Sequence, residues 1–292
     1  MSAEIATPEA APQAPPAWPV RTLRFLWRRR NLTIGGILVG IIVLAAIFAP
    51  LLTSSDPYNQ DLINSLVPPG VDHIFGTDAY GRDIFARVLF GARISLLEVL
   101  LGVGIAVIVG VPLGLVSGTF GGRTDQTIMW VMEIIFAFPG VILAILIVSV
   151  LGTSLVNMLL AIATFSVPIY ARLSRNVAIG IKNTEYVEAA SALGASIWRI
   201  IFDHILRNSL APIIVQATLT AGTVILTAAS LSFLGLGAQP PLPEWGAMMS
   251  DGRDFIQVSP WVSLFPGLAV TLTVLGFNIL GDGLRDLLDP RS

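Results

Sequence analysis

Along the chain, apolar positions gather into long, nearly uninterrupted windows and do not follow the short periods of surface helices or half-buried strands. The first window runs from Thr33 to Leu52; at about 1.5 Å per residue it reaches ~30 Å, one hydrocarbon core. Others lie near 96–118, 127–150, 155–172, 211–236 and 262–284, each long enough to span with some tilt. The pattern predicts an all-α, polytopic membrane protein with about six transmembrane helices. A cleaved signal peptide is the rival reading of the first window, but its apolar core is usually ~7 to 15 residues, and no Ala-x-Ala site follows here. An uncleaved anchor is expected.

The polar residues between windows orient the bundle, because Lys and Arg collect on the cytoplasmic side. With the amino terminus inside, the inner side holds Arg21, Arg24, Arg28, Arg29, Arg30, Arg123, Arg172, Arg175, Lys182, Arg199, Arg207, Arg285 and Arg291, thirteen of the seventeen basic residues. Arg82, Arg87, Arg93 and Arg253 stay outside among acids, so both termini are expected to be cytoplasmic. Residues 1–20, with five prolines from Pro8 to Pro19 and no apolar period, read as disordered. The division that follows is a disordered cytoplasmic tail at 1–30, a first transmembrane helix and extracytoplasmic segment at 31–95, a core transmembrane domain at 96–285 containing an inner loop at 176–209, and a short cytoplasmic tail at 286–292.

Composition agrees with lipid as the main solvent: 54% of the 292 residues are hydrophobic and 12% charged, against about 25% charged in ordinary domains. The net charge of −2 averages segments of opposite sign and gives no sign of nucleic-acid binding. Cysteine is absent, which removes disulfides, thiolate metal sites and cysteine nucleophiles. No G-x-x-x-x-G-K-[ST], HExxH or GxSxG occurs, and His73 and His204 fall on opposite sides of the membrane. The expectation is a non-enzyme that binds no cofactor itself.

Within the second window, Gly102, Ala106, Gly110, Gly114 and Gly118 repeat every four residues, one smooth helix face that lets another backbone approach. Pro112, Pro139, Pro168 and Pro266 interrupt spans; such breaks are tolerated where protein or a water-filled cavity satisfies the freed carbonyls. Ionisable groups inside spans are functional candidates. Glu133, close to Phe136 and Pro139, either lines a translocation path or makes a structural bond near the inner end. Asn278 reads as an interhelical hydrogen-bonding residue, and Glu98, near the outer end of its window, carries no assigned role.

The inner loop from Asn176 to Asn208 reads as two short helices. Asn183 or Thr184 can cap the first, Glu185 and Glu188 place negative charge at its amino end, and Gly194 ends it after about two turns. Ala189, Ala190, Ser191 and Ala192 leave a face of little bulk that another protein's groove can accept. The second, Ser196 to Leu206, is amphipathic. Outside, Arg82 to Gly91 reads as a surface helix with Asp83 paired to Arg87 at i,i+4, and Trp245 anchors a stiff loop after the prolines at 240–243. Asp72, His73 and Asp78 have the residue types of a metal site, but acids beside Gly and Pro in loops serve turns, so no metal is assigned.

The string EYVEAASALGASIWRIIFDHIL, Glu185 to Leu206, resembles the EAA signature of ABC importer permeases, although Leu206-Arg207-Asn208 stands where the family closes with Leu-Pro. HIFGTDAYGRDIFARVLFGARISL from His73, SLSFLGLGAQPPLPEWGAM from Ser230 and FNILGDGLRDLLDPR from Phe277 resemble the dipeptide, oligopeptide and nickel branch, second permease subunit. The resemblance implies a type I ABC importer transmembrane domain in a bacterial inner membrane. It implies a second homologous permease, two ATP-binding subunits carrying ATP and Mg2+, and an extracytoplasmic substrate-binding protein. Peptides lead as substrates, with glutathione, nickel chelates and opines as further classes. By the resemblance, Glu188, Ala189, Ala190 and Gly194 couple to the ATPase, while Gly76, Asp78, Arg82, Asp83 and Trp245 belong to the extracytoplasmic contact region. A secondary transporter driven by an ion gradient is the alternative, and it calls for repeat halves and mid-membrane acids.

Overall fold

The computed structural model describes residues 29–288, so the expected tail at 1–30 lies almost wholly outside the described residues. The helices are α1 (Arg30–Leu52), α2 (Ile84–Phe120), α3 (Gly122–Phe136), α4 (Gly140–Leu151), α5 (Leu155–Lys182), α6 (Glu185–Ala192), α7 (Ile197–Phe233), α8 (Trp245–Asp251) and α9 (Trp261–Leu288). No strand occurs among the described residues; an isolated bridge joins Thr77 and Asp83.

Five helices, α1, α2, α5, α7 and α9, are each long and apolar enough to cross a bilayer, and α3 and α4 form a pair bent by 87°. Neighbouring residues show that this pair counts as one crossing. A Cβ built on Gly110 would meet Val167 and Tyr170, and one on Gly118 would meet Arg175 and Ala178. Position therefore rises along α2 and α5 together, so the two run parallel. Parallel helices need a full return between them, and only α3 and α4 supply it. Elsewhere the order is antiparallel: Gly35 faces Leu280, Gly276 faces Leu38 and Val39, and Gly283 faces Leu32. Arg30 and Leu288 accordingly lie at one end of the bundle, with α6, and the segment 53–83 and α8 lie at the other.

The small-residue stripe of α2 buries itself as its spacing predicts, Gly110, Gly114 and Gly118 against α5 and Gly102 against Val224 of α7. Two apolar clusters flank this contact. One, with Ala106, Leu115, Ile162, Tyr170, Ala171 and Ile205, fills the inner and middle bundle; the other, with Ile84, Ile225, Trp245 and Val262, fills the outer part.

Three expectations change here. Pro112, Pro168 and Pro266 sit inside continuous helices, whereas Pro139, at φ −55° and ψ 126°, turns the chain out of helix and produces the bend. The sequence 82–91 is no surface helix: Ile84 opens α2, a helix of 37 residues, about 55 Å long, whose first turns stand above the hydrocarbon core. Likewise α5 continues unbroken to Lys182 and α7 starts at Ile197, so the expected inner loop at 176–209 contracts to α6 and its short flanks.

Candidate functional site

At the inner end, α6 is built as its residues dictate. Glu185 and Glu188 occupy its first turn, where carboxylates complement the helix dipole. Thr184 takes the N-cap position, but its hydroxyl donates to the Ile181 carbonyl, so neither Asn183 nor Thr184 caps through its side chain. The far end closes by two bonds: Gly194 N–H to the Ser191 carbonyl and Ala195 N–H to the Ala190 carbonyl, each 3.0 Å. This six-to-one and five-to-two pairing needs a left-handed residue, and Gly194 supplies it at φ +85°.

What makes α6 unusual is how little holds it. Val187 is its one buried side chain, packed with Ile200, Ile201 and Ile205 of the π-helical start of α7. Glu188, Ala189, Ser191, Ala192 and Gly194 are exposed and Ala190 is half-buried. Leu193 is 89% exposed, a bare apolar tip that sequence reasoning passed over, although its place beside the helix-stopping glycine was a signal for it. A Cβ on Gly194 would meet nothing within 4 Å. The helix thus offers small, uncrowded side chains and one apolar knob to an outside groove.

In the bent span, Glu133, Phe136 and Pro139 are exposed, with Met132 the one buried side chain of α3. A cleft of about 750 Å³ is lined by Asp125, Thr127, Met129, Trp130, Glu133 and Arg175. Asp125 is fully engaged there: Arg175 donates to its two oxygens at 2.5 and 2.6 Å, and Ser117 donates as well. Arg172, counted by sequence as a loop charge, projects from the body of α5 and sits 4.4 Å over the Phe136 ring. Among the described residues Asn278 makes no interhelical hydrogen bond; its amide rests beside Gly222, which offers no side-chain partner. Glu98 lies fourteen residues into α2, 1% exposed, and its Oε1 has no hydrogen-bond partner among the described residues.

The outer residues Gly76, Asp78, Arg82, Asp83 and Trp245 are buried inside the chain. They shape a cap within the chain. Asp78 receives Arg82 Nε at 2.6 Å and stands 3.6 Å from Arg87 Nε, and Arg82 also reaches Asp251 at 3.3 Å. Asp83 does not pair with Arg87: it accepts from Ala86 N–H as the N-cap of α2, and its other oxygen meets His73 Nδ1 at 2.9 Å. Arg87 donates instead to the Pro57 carbonyl at 3.0 Å. A carboxylate one residue outside a helix is better used on free amides than on an arginine one turn away. Trp245 donates to the Val88 carbonyl at 3.0 Å, tying α8 to α2. Glu244, 1% exposed, accepts from Gly246 and Ala247 N–H at 2.8 Å each, and burial pushes its carboxyl above the usual range.

Residues 110–292 match the family described as binding-protein-dependent transport system inner membrane component, and residues 18–69 match the N-terminal transmembrane domain of oligopeptide transport permease C. The chain is 51% identical over 295 residues to the dipeptide transport system permease protein of Alkalihalophilus pseudofirmus, covering 98% of this chain and 96% of that protein. It is 48% identical over 256 residues to the probable D,D-dipeptide transport system permease protein of Escherichia coli K12, covering 88% and 86%. It is 44% identical over 271 residues to the glutathione transport system permease protein of Pectobacterium atrosepticum, covering 92% and 89%. Among solved structures, an inward-facing form of the MetNI methionine ABC transporter superposes with a TM-score of 0.58 at 18% identity, over 69% of this chain and 96% of that one. That likeness carries the fold.

Proposed function

Since the chain belongs to the family of inner membrane components of binding-protein-dependent transport systems, we propose that it is one of two homologous permeases that together enclose an import path for small peptides. Its being a transport permease of an ABC importer follows from the family; the peptide substrate, the partners and their number are the proposal. Two ATP-binding subunits hydrolyse ATP with Mg2+, this chain binds neither and catalyses no reaction, and an extracytoplasmic protein delivers the substrate. Relatives whose names specify dipeptides, D,D-dipeptides and glutathione support the substrate class. The membrane is the bacterial inner membrane, with Arg30 and Leu288 toward the cytoplasm.

The single observation that carries the mechanism is the exposure of α6. A helix of eight residues whose one buried side chain is Val187, with Tyr186 touching His204 and Asn208 at its edge, Glu188 and Ala189 exposed, Ala190 half-exposed and Gly194 closing it, suits docking into a groove of the ATP-binding subunit. Motion of that subunit then passes into α5 and α7 on either side. The test is ATP-driven peptide uptake by the reconstituted complex. Glu188→Lys and Gly194→Trp are expected to abolish uptake and ATPase coupling while the protein still inserts. Normal uptake and ATPase binding in both variants would falsify the docking role. Uptake that persists without ATP and collapses with an ion gradient would instead favour the secondary-transporter alternative.

A further inference from the structure

Two opposite charges on the exposed faces of α3 and α5 are left unmatched among the described residues. Glu133 forms no ion pair or side-chain hydrogen bond among the described residues, and Arg172 forms none either, its guanidinium resting on the Phe136 ring at 4.4 Å. Phe136 follows Glu133 by three positions, so the two share one face of α3. The charges also share a depth. Glu133 is eleven residues from Gly122, no more than about 16 Å from the inner end, and Arg172 is ten residues before Lys182, about 15 Å. Half a hydrocarbon core is about 15 Å, so both lie within their spans on the inner half of the bundle.

Ionisable groups at that depth are held by partners or face a water-filled path. The neighbouring pair shows the first solution, Asp125 being bound at both oxygens by Arg175. Glu133 and Arg172 lack that solution. Glu133 opens on the cleft of about 750 Å³ beside Trp130, which is 63% exposed; small-molecule sites run roughly 300–1,000 Å³. A carboxylate next to an indole face suits a primary ammonium, through charge and through the ring's negative face. A guanidinium resting only on a ring keeps its donor fork free for a carboxylate.

We propose that Glu133, Trp130 and Arg172 form a transit site for the zwitterionic backbone of a free peptide, the α-ammonium toward Glu133 and Trp130 and the α-carboxylate toward Arg172. The site rests on the import path proposed above, and it places a check on both peptide ends within this chain, apart from selection by the delivering protein.

The test is direct binding of alanyl-alanine to the assembled complex in nanodiscs, compared with N-acetyl-alanyl-alanine, which lacks the ammonium, and alanyl-alaninamide, which lacks the carboxylate. The wild type is expected to prefer alanyl-alanine over each by about tenfold or more, as for a hydrogen bond to a charged group. Glu133→Gln should erase the preference over the acetylated peptide only, Arg172→Gln the preference over the amide only, and Glu133→Asp should restore the first. Wild type and variants that bind the three peptides alike, or not at all, overturn the site. ATP-driven uptake by the wild type is read separately: if it holds while the preferences are missing, the transit site falls and the importer stands; if it fails, the importer reading falls.

Discussion

Gly114 of α2 lies against Ala171 of α5 so closely that a Cβ on the glycine would fall inside contact distance of the Ala171 carbonyl oxygen, with Ser174 Cβ at 2.9 Å. Neither obstacle is a flexible chain end, so added bulk must part the helices. Gly114→Leu should lower stability by about 1–3 kcal/mol or more, read as thermal melting of the detergent-purified protein. Gly104→Leu on the same helix is the control, since nothing lies within 4 Å of its Cβ position. Equal melting of the two variants would count against the packed α2–α5 seam.

In the outer cap, Asp78 is the anion shared by two buried guanidiniums, Arg82 and Arg87. Asp78→Ala leaves both without their nearest counter-charge, and breaking a buried pair costs about 3–5 kcal/mol. The variant should melt early and expose residues 53–83 to protease added from the outside. A cap as resistant as the wild type's would show that Asp251 alone suffices.

Glu244 gives a pH dependence. Its folded-state carboxyl titrates above the ordinary carboxylate range because it is buried, so between the unfolded and folded values the native state binds more protons. Stability therefore falls as pH rises through that window and returns on acidification. Glu244→Gln cannot titrate, so the difference in melting temperature between wild type and variant should shift in favour of the wild type on going from neutral pH toward about pH 4.3, the ordinary glutamate value. A difference that stays flat across that range would exclude Glu244 as its source.

The parallel run of α2 and α5 requires the bent pair to cross the membrane. Because the chain has no cysteine, a single introduced thiol reports alone. Thr153→Cys should react with an impermeant maleimide from outside in intact cells, and Arg123→Cys only after the inner face is opened. Labelling of both from the same side would mean that α3 and α4 enter and leave by one face.

The crossings were legible because a bilayer imposes a length that apolar windows display directly, and the α2 stripe because four-residue spacing marks one helix face. The same holds for Gly194, whose left-handed bonds close within six residues. What stayed hidden depends on distant partners. Arg82 to Gly91 looks like a surface helix with an Asp83–Arg87 pair, yet α2 runs on from Ile84: the Asp78 carboxylate and the Pro57 and Pro241 carbonyls take up Arg82 and Arg87, and Asp83 is taken by Ala86 N–H and His73. Arg172 passed for a loop cation because charge counting ignores helix continuity, and its seat on Phe136 belongs to another helix. Of four prolines, only Pro139 breaks a span, and its identity alone does not separate it from Pro112 or Pro168.

The anchoring of α6 has a mechanical meaning. The helix is the elbow between two rods, α5 of 28 residues and α7 of 37, each continuous through the bundle. Because α5 is seated on α2 through glycines with no compliant side chains between, a displacement at the elbow cannot be absorbed locally. It must turn the α2–α5 pair as one lever, with the soft joint left at Pro139, where the path can widen while the rods stay stiff.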